Sequence, residues 1–268
     1  MRWRGIVDIH LIPAFRGLLR SINVAEVESY MAKRAAAGAA AWTIRQELNV
    51  LIHMLHRAVK WEFLGRSPLL DPHGRPLITM PKAPPGRIRF LSREEIDRLL
   101  AACTHLPYLR AFVLVALNTG CRRNEILTLT RTSVDWQARI ATLSRTKNGE
   151  ARRVYLNDVA FEALRSLPVP LDGRLFPQDP HAVRAAFLRA VRRAKIENFR
   201  LHDLRHTFCS YQAMSGVAPR GLQELMGHKD PRMTACYSHL SDAYLRAAVD
   251  NVQLGGMQSA STTEIANA

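Results

Sequence analysis

Leu201-His202-Asp203-Leu204-Arg205-His206 and, further on, Gly227-His228-Lys229-Asp230-Pro231-Arg232-Met233-Thr234-Ala235-Cys236-Tyr237 are the stretches whose reading decides the chain. With residues 202 to 215 helical, His202, Arg205, His206 and Cys209 fall on one side, and Leu204, Phe208 and Tyr211 on the other. Phosphodiester chemistry without a metal needs fixed cations around the phosphoryl oxygens and a nucleophile held in line. This segment supplies candidates for both. Each residue also has an ordinary use: an arginine can serve a carboxylate, and a histidine can cap a helix or sit satisfied in a core. His202 and His206 are four apart, as in the H-E-x-x-H of zinc hydrolases, with Asp203 in the place of the glutamate. A zinc site would need a third ligand, and Arg205 on the same face would raise the cost of holding the cation.

Working outward, Thr119-Gly120-Cys121-Arg122-Arg123-Asn124-Glu125 follows an apolar helix expected from about Pro107 to Asn118. Two arginines thus emerge at a glycine turn where a phosphate can approach, with Glu125 near enough to orient one of them. Ile140 to Lys147 and Ala151 to Leu156 read as strands around Asn148-Gly149, a dipeptide suited to a tight hairpin, which puts Lys147 at its tip. A further helix near Ala182 to Lys195 carries Val183, Phe187 and Val191 inward and Arg184, Arg189, Arg192 and Arg193 outward.

Pro81-Lys82-Ala83-Pro84-Pro85-Gly86-Arg87 reads as a linker between domains. After it, Ser92 with Glu95 forms a capping box for a helix bearing Ile96, Leu99 and Leu100. Before it lie two amphipathic helices. The first opens at Asn23 with Glu26 and stops at Gly38; the second starts near Thr43 and repeats Ile44, Leu48, Leu51, Ile52, Leu55 and Val59 at helical spacing. The outer face of the second carries Arg45, His53, His56 and Lys60, a row that either tracks a DNA backbone or is simply solvated. About 20 residues precede the first clear helix, and residues from Gln258 on read as a flexible tail.

The chain has 38 Lys and Arg against 23 Asp and Glu, a net charge of +15. That balance favours a polyanionic partner through counterion release, and the paired donors of arginine suit phosphate. No stretch approaches the roughly 20 uninterrupted apolar residues of a membrane span, and the first residues lack the apolar run of a secretion signal. The expectation is a cytoplasmic, nucleoid-associated protein with no membrane partner. Cys103, Cys121, Cys209 and Cys236 are widely spaced, show no zinc or disulfide pattern, and read as reduced.

Taken in order, these residues resemble the tyrosine recombinases, the phage-type integrases that include Xer-like resolvases. Thr119-Gly120-Cys121-Arg122 is similar to the segment bearing the family's first catalytic arginine, and Glu125 falls on its nearby acidic position. Lys147 matches its catalytic lysine, His202 and Arg205 its H-x-x-R motif, Gly227-His228 the end of its L-G-H motif, and Tyr237 its nucleophile. Met226 stands where leucine is usual before Gly-His, a swap that conserves apolar volume.

The resemblance implies a mainly α fold with a small β-sheet: a helical, SAM-like core-binding domain and an α+β DNA breaking-rejoining catalytic domain. The expected boundaries are 1–80 for the first domain, 81–89 for the linker, 90–255 for the second domain and 256–268 for the tail. No separate arm-binding domain is expected, and the first domain reads as N-terminally short.

The resemblance also implies that Tyr237 attacks DNA to give a 3′-phosphotyrosyl link while Arg122 and Arg205 clamp the phosphate. Lys147 would be the general acid and His202 the base or orienter of Tyr237; His228 would donate to the phosphate, and Glu125 would position. Arg45, His56, Lys60, Arg87 and Arg123 are the further candidates for DNA contact. No metal or cofactor is implied. The implied partners are double-stranded DNA recombination sites, a homotetramer on DNA, and accessory DNA-bending proteins. A helix from Ser241 on, with Leu245, Ala248, Val249 and Val252 on one side, would pack on a neighbouring protomer or on its own domain. Two rival functions stand beside this one. A type IB topoisomerase shares nucleophile and clamp but relaxes DNA without exchanging partners, and a non-catalytic helix-turn-helix protein could use Leu222 to Met226 and the helix after Pro231.

Overall fold

The computed structural model describes residues 2–84, 86–143, 151–168, 172–237 and 249. Lys147 and the hairpin tip, the segment from Ser241 apart from Val249, and the expected tail therefore lie outside the described residues. Two compact units divide the chain, Met1–Gly86 and Arg87–Ala268, and the break falls inside the proline-rich stretch.

The first unit is helical. Residues before Asn23, where the sequence shows no clear helix, form α1 (Arg2–Ile6), a π-helical turn (Val7–Leu11) and α2 (Ile12–Ala14). The π turn breaks the 3.6-residue period on which helix recognition depends, so the apolar residues here do not line up as one stripe. α3 (Val24–Ala36) begins where the Asn23 side chain accepts from the Glu26 N–H at 3.0 Å, and Gly38 (φ 78°) follows its end. α4 (Ala41–Lys60) presents Ile44, Leu48, Leu51 and Leu55 to Val27, Tyr30, Leu11 and Ile22. One charge lies within this core. Glu47 accepts from the Tyr30 hydroxyl at 2.7 Å and from Arg34 Nε and Nη2 at 2.9 and 2.6 Å. Burial raises its pKa, but these donors prevail and hold it below the usual carboxylate range.

The second unit opens with α5 (Arg93–Ala102), whose Ser92–Glu95 capping box is complete in both directions. Its core is built around α6 (Pro107–Thr119), which buries Leu109, Phe112, Val113 and Ala116 against α8 (Asp158–Arg165) and α10 (Asp203–Met214). The short α7 (Arg123–Leu127) leads into an antiparallel sheet of β1 (Val134–Asp135), β2 (Ile140–Leu143) and β3 (Arg152–Tyr155), with Ala141 opposite Val154. The alternation is regular: Ala141, Leu143 and Val154 are buried, while Thr142 and Tyr155 face out. α9 (Pro180–Arg193) starts at Asp179, whose carboxylate accepts from the His181 and Ala182 N–H groups. α11 (Pro219–Met226) and α12 (Arg232–Ala235) complete the described part. The fold is mainly α with a small sheet, as expected.

α10 departs from the simple two-faced reading. Leu204 and Phe208 are buried, but so are Arg205, at 4% exposure, and Cys209, at 0%. Arg205 and Cys209 of the polar face therefore look into the protein, while His206 is half-buried and His202, just before the helix, is exposed.

Gly120 makes that packing possible. It ends α6 at φ 63°, and a Cβ there would lie 2.5 Å from Cδ1 of Phe208 on α10. The left-handed backbone and the ring clash together predict that Gly120→Ala destabilises the unit by about 2–4 kcal/mol, read as a shift in urea midpoint at unchanged slope.

Candidate active site

Four segments converge in the second unit: the end of α6 with α7, strand β3, the start of α10, and the end of α11 with α12. Gly120 and Gly227 each terminate a helix in the left-handed conformation, with φ of 63° and 60°, which turns the last carbonyls of α6 and α11 inward. Arg205 takes both ends. Its Nη1 donates to the Gly120 carbonyl and its Nη2 to the Met226 carbonyl at 2.5 Å. Burial, with Arg122 and Arg152 nearby, pushes Arg205 down to about 10, so it remains a cation at neutral pH.

Arg122 precedes α7. Its backbone N–H donates to Glu125 Oε2 and its Nη1 to Glu125 Oε1, both at 2.8 Å. Burial raises the Glu125 pKa, but the Arg122 N–H and the Arg152 and Arg122 guanidinium groups overcome that and hold it low. Arg152, on β3, completes the group. Its Nη2 donates to Glu125 Oε2 at 3.0 Å and its Nη1 to the Leu225 carbonyl at 2.6 Å. Three guanidinium groups thus gather around one carboxylate, and the surplus positive charge is the electrostatic requirement of an anion site. A cleft of about 960 Å³ opens over Arg122 and Arg205, lined also by Arg123, Arg184, Arg200 and His202.

His228 is 9% exposed, and its Nδ1 lies 2.9 Å from Thr234 Oγ1. Burial, then Arg205, Arg122 and Arg152, push it down to about 4. His202 lines the cleft and is also lowered, by burial first and then by His206 and Arg205. Tyr237 is 2% exposed and packs with Phe208, Cys209 and Met226. Its hydroxyl meets Nδ1 of His206, the residue four positions beyond the one expected to orient it. His206 meets His202 edge-on, with ring centroids 5.1 Å apart. The contact path therefore runs from Tyr237 through His206 to His202 and the cleft. Burial, then the Cys209 and Cys236 thiols, raise the phenol pKa well above its ordinary value, so it is stored neutral. Asp230 Oδ1 accepts the Arg232 N–H at 2.9 Å at the start of α12.

The structure thus brings together Arg122, Glu125, His202, Arg205, His228 and Tyr237 within one unit, while Lys147 lies outside the described residues. It adds two residues that the sequence reading did not assign. His206 had a signal, its place on the polar face of α10. Arg152 had one as well, since period-two alternation puts it on the inward side of β3 with Val154. Among the other candidates, Arg123 lines the cleft and bonds Asn124, whereas Arg87 is drawn into an ion pair with Asp203 at 2.6 Å. In the first unit, Arg45 donates to the Pro81 carbonyl at 3.0 Å, and His56 and Lys60 are exposed. Among the described residues no cluster of three or more His, Cys, Asp or Glu forms that could hold a metal, and no helix is long and apolar enough to cross a membrane.

Three histidines with lowered pKa values, the buried His228, the half-buried His206 and the exposed His202, set the pH response of the DNA-free chain. Each is lowered on folding, so between its ordinary value near ~6.5 and its folded value the unfolded chain takes up a proton that the folded chain refuses. Stability is therefore full above about pH 6.5 and declines as the pH falls toward 4, with a slope of up to about 1.4 kcal/mol per pH unit for the buried His228 and a smaller, solvent-screened part from the exposed His202. Urea titrations at pH 7, 6 and 5 check this, and His228→Gln should flatten the curve.

Residues 89–243 match the Phage integrase family. The chain is 32% identical over 228 residues to the integrase of Salmonella phage P22, an alignment covering 77% of this chain and 56% of that protein. It is 36% identical to the solved catalytic domain of bacteriophage HP1 integrase, covering 61% of this chain and 95% of that domain with a TM-score of 0.52. A lambda integrase (residues 75-356) dimer bound to a COC′ core site shares the fold at 16% identity, with a TM-score of 0.71 over 88% of this chain and 87% of that one. The chain spans less than two thirds of the length of the P22 integrase and of the shufflon-specific recombinase of Escherichia coli, which it also resembles at 29% identity.

Proposed function

Because the chain belongs to the phage integrase family, we propose that it is a site-specific tyrosine recombinase that cuts and rejoins double-stranded DNA. The observation that carries this reading is the joint placement of Arg122 and Arg205 at the cleft, and of Tyr237 behind the His206–His202 pair.

The chemistry follows from the groups present. The Tyr237 oxygen attacks the scissile phosphorus, forming the tyrosyl P–O bond and breaking the bond to the 5′-oxygen. The phenol proton passes to the histidine pair, with His206 as the immediate acceptor and His202 on the cleft side. Lys147 supplies the proton that the departing 5′-oxygen needs. Arg122 and Arg205 hold the nonbridging oxygens as charge develops, and His228 donates to the same phosphate. Arg205 has three N–H groups beyond the two that bond the carbonyls of Gly120 and Met226, so clamping does not require it to release them. Because the phosphotyrosyl bond conserves the energy of the phosphodiester, a 5′-hydroxyl from another strand reverses the step without ATP.

Further parts of this reading are a homotetramer on DNA, accessory DNA-bending proteins, a core-binding domain at 1–80 ahead of a linker at 81–89, and a nucleoid location. Arg45, His56, Lys60, Arg87 and Arg123 are its DNA contacts outside the clamp. DNA as partner is supported by the net charge of +15 and by the solved neighbours, among them a lambda integrase dimer on a core site. The topoisomerase and helix-turn-helix alternatives are not favoured, since the similar proteins are integrases and recombinases.

The test is a pool of nicked duplexes of randomised sequence, from which SDS-stable complexes are recovered in EDTA. Covalent DNA is the expected result. Its absence, or a strict requirement for a divalent metal, would overturn the assignment.

A further inference from the structure

Arg152 is held at 12% side-chain exposure by two charge-assisted bonds, to Glu125 on α7 and to the Leu225 carbonyl at the end of α11. Its Nη2 also lies 3.7 Å from Cys121 Sγ, and its Nε is buried without a hydrogen-bond partner among the described residues. The adjoining backbone is shaped for it. A Cβ at Gly227 would lie 2.6 Å from Arg152 Cδ, so only glycine lets the side chain pass. This is a poor arrangement for stability alone. It leaves a donor unmatched, crowds a third cation against Arg122 and Arg205, and fixes a left-handed turn, where an apolar side chain would avoid all three.

We propose that Arg152 is a positioning residue of the phosphate clamp: by bridging Glu125 and the Leu225 carbonyl, it fixes Arg122 relative to the Gly227-His228 turn. Glu125 is the shared element, since its Oε2 takes Arg152 and the Arg122 N–H while its Oε1 takes the Arg122 guanidinium. With Arg152 removed, Glu125 and the end of α11 lose their common tie, and Arg122 and His228 no longer converge on one phosphoryl group. A displacement near 1 Å is enough to cost about 10²-fold in rate.

The inference rests on the phosphodiester-transfer reading above, and the experiment separates the two. Single-turnover cleavage of a nicked duplex recovered from the randomised pool is compared for the full chain, Arg152→Met, Arg152→Lys, Glu125→Gln and the double variant Arg152→Met/Glu125→Gln. Arg152→Met should lower the rate at saturating DNA about 10²-fold, with DNA affinity changed less than about threefold and the salt slope of binding unaltered. Arg152→Lys keeps the charge but offers one point donor in place of the fork, and should lose a similar factor. The double variant should be no worse than about threefold below the weaker single, because both substitutions break one bridge. Additive losses, a wild-type rate in Arg152→Met, or a salt slope reduced by about 1, the signature of a direct phosphate contact, would overturn the positioning role. Should the unaltered chain form no adduct, the recombinase reading fails by itself. The positioning role is then judged on the DNA-free protein, where Arg152→Met or Arg152→Lys should shift both the Arg122 Nε–H and the His228 ring NMR signals. Unmoved signals would overturn it.

Discussion

Tyr237→Phe is expected to abolish covalent attachment to DNA, lowering it by at least about 10⁴-fold, while the chain stays folded and still binds duplex. The two effects separate because the residue is buried among Phe208, Cys209 and Met226, and its hydroxyl meets only the side chains of His206 and Cys209 among the described residues. Phenylalanine fills the same space. The lost bond removes about 1 kcal/mol, within reach of a thermal denaturation measurement. Gel-resolved SDS-stable complexes report the chemistry, and a filter-binding isotherm reports the retained affinity. An adduct from the Phe variant would mean that another side chain is the nucleophile.

Arg205→Ala should damage both fold and chemistry, and this distinguishes Arg205 from Tyr237. Its guanidinium is the donor to two inward-turned helix-end carbonyls, those of Gly120 and Met226. Removing it leaves both acceptors buried and unmatched, a loss of about 3–5 kcal/mol. Cleavage should fall by at least about 10³-fold, because one of the charges that stabilise the developing phosphorane is gone. Arg205→Lys isolates the second effect, since an ammonium on a single point cannot serve two carbonyls and a phosphate as the planar fork does. It should recover much of the stability but little of the rate. A lysine variant with unimpaired cleavage would remove Arg205 from the clamp.

The sequence exposes some of this architecture and hides the rest for definable reasons. Regular helices with apolar residues at 3.6-residue spacing, such as α3, α4, α6 and α9, are legible, as are the Ser92–Glu95 box and the paired strands β2 and β3. The helical segment Arg2–Ala14 is not, because its π turn shifts the register. β1, two residues long, carries too little pattern to be seen. Motif residues with fixed neighbours, Arg122, His202, Arg205, His228 and Tyr237, are singled out by type and order as candidates, and the fold places them in one unit. The partners that fix them are harder to see. Arg152 is hidden because an Arg-Arg pair in a strand reads as solvent-facing, although its alternation with Val154 points inward. Glu47 is hidden similarly: it shares the inward face of α4 with Ile44, Leu48 and Leu51, and only its bonds to Tyr30 and Arg34 explain a carboxylate there. The choice between His202 and His206 as the tyrosine's neighbour depends on which turn of α10 faces α12, and one helical turn is below what spacing resolves.

The identity of the atom joined to DNA decides whether Tyr237 is the nucleophile. SDS-stable complexes formed in EDTA would be digested with nuclease and trypsin, and the peptide 233–246, which holds both Tyr237 and Tyr244, sequenced by tandem mass spectrometry. The expected result is a nucleotide 3′-phosphate on Tyr237 and a free 5′-hydroxyl on the released strand. A nucleotide on Tyr244 or on any other residue, or a 5′-phosphate linkage, would contradict it.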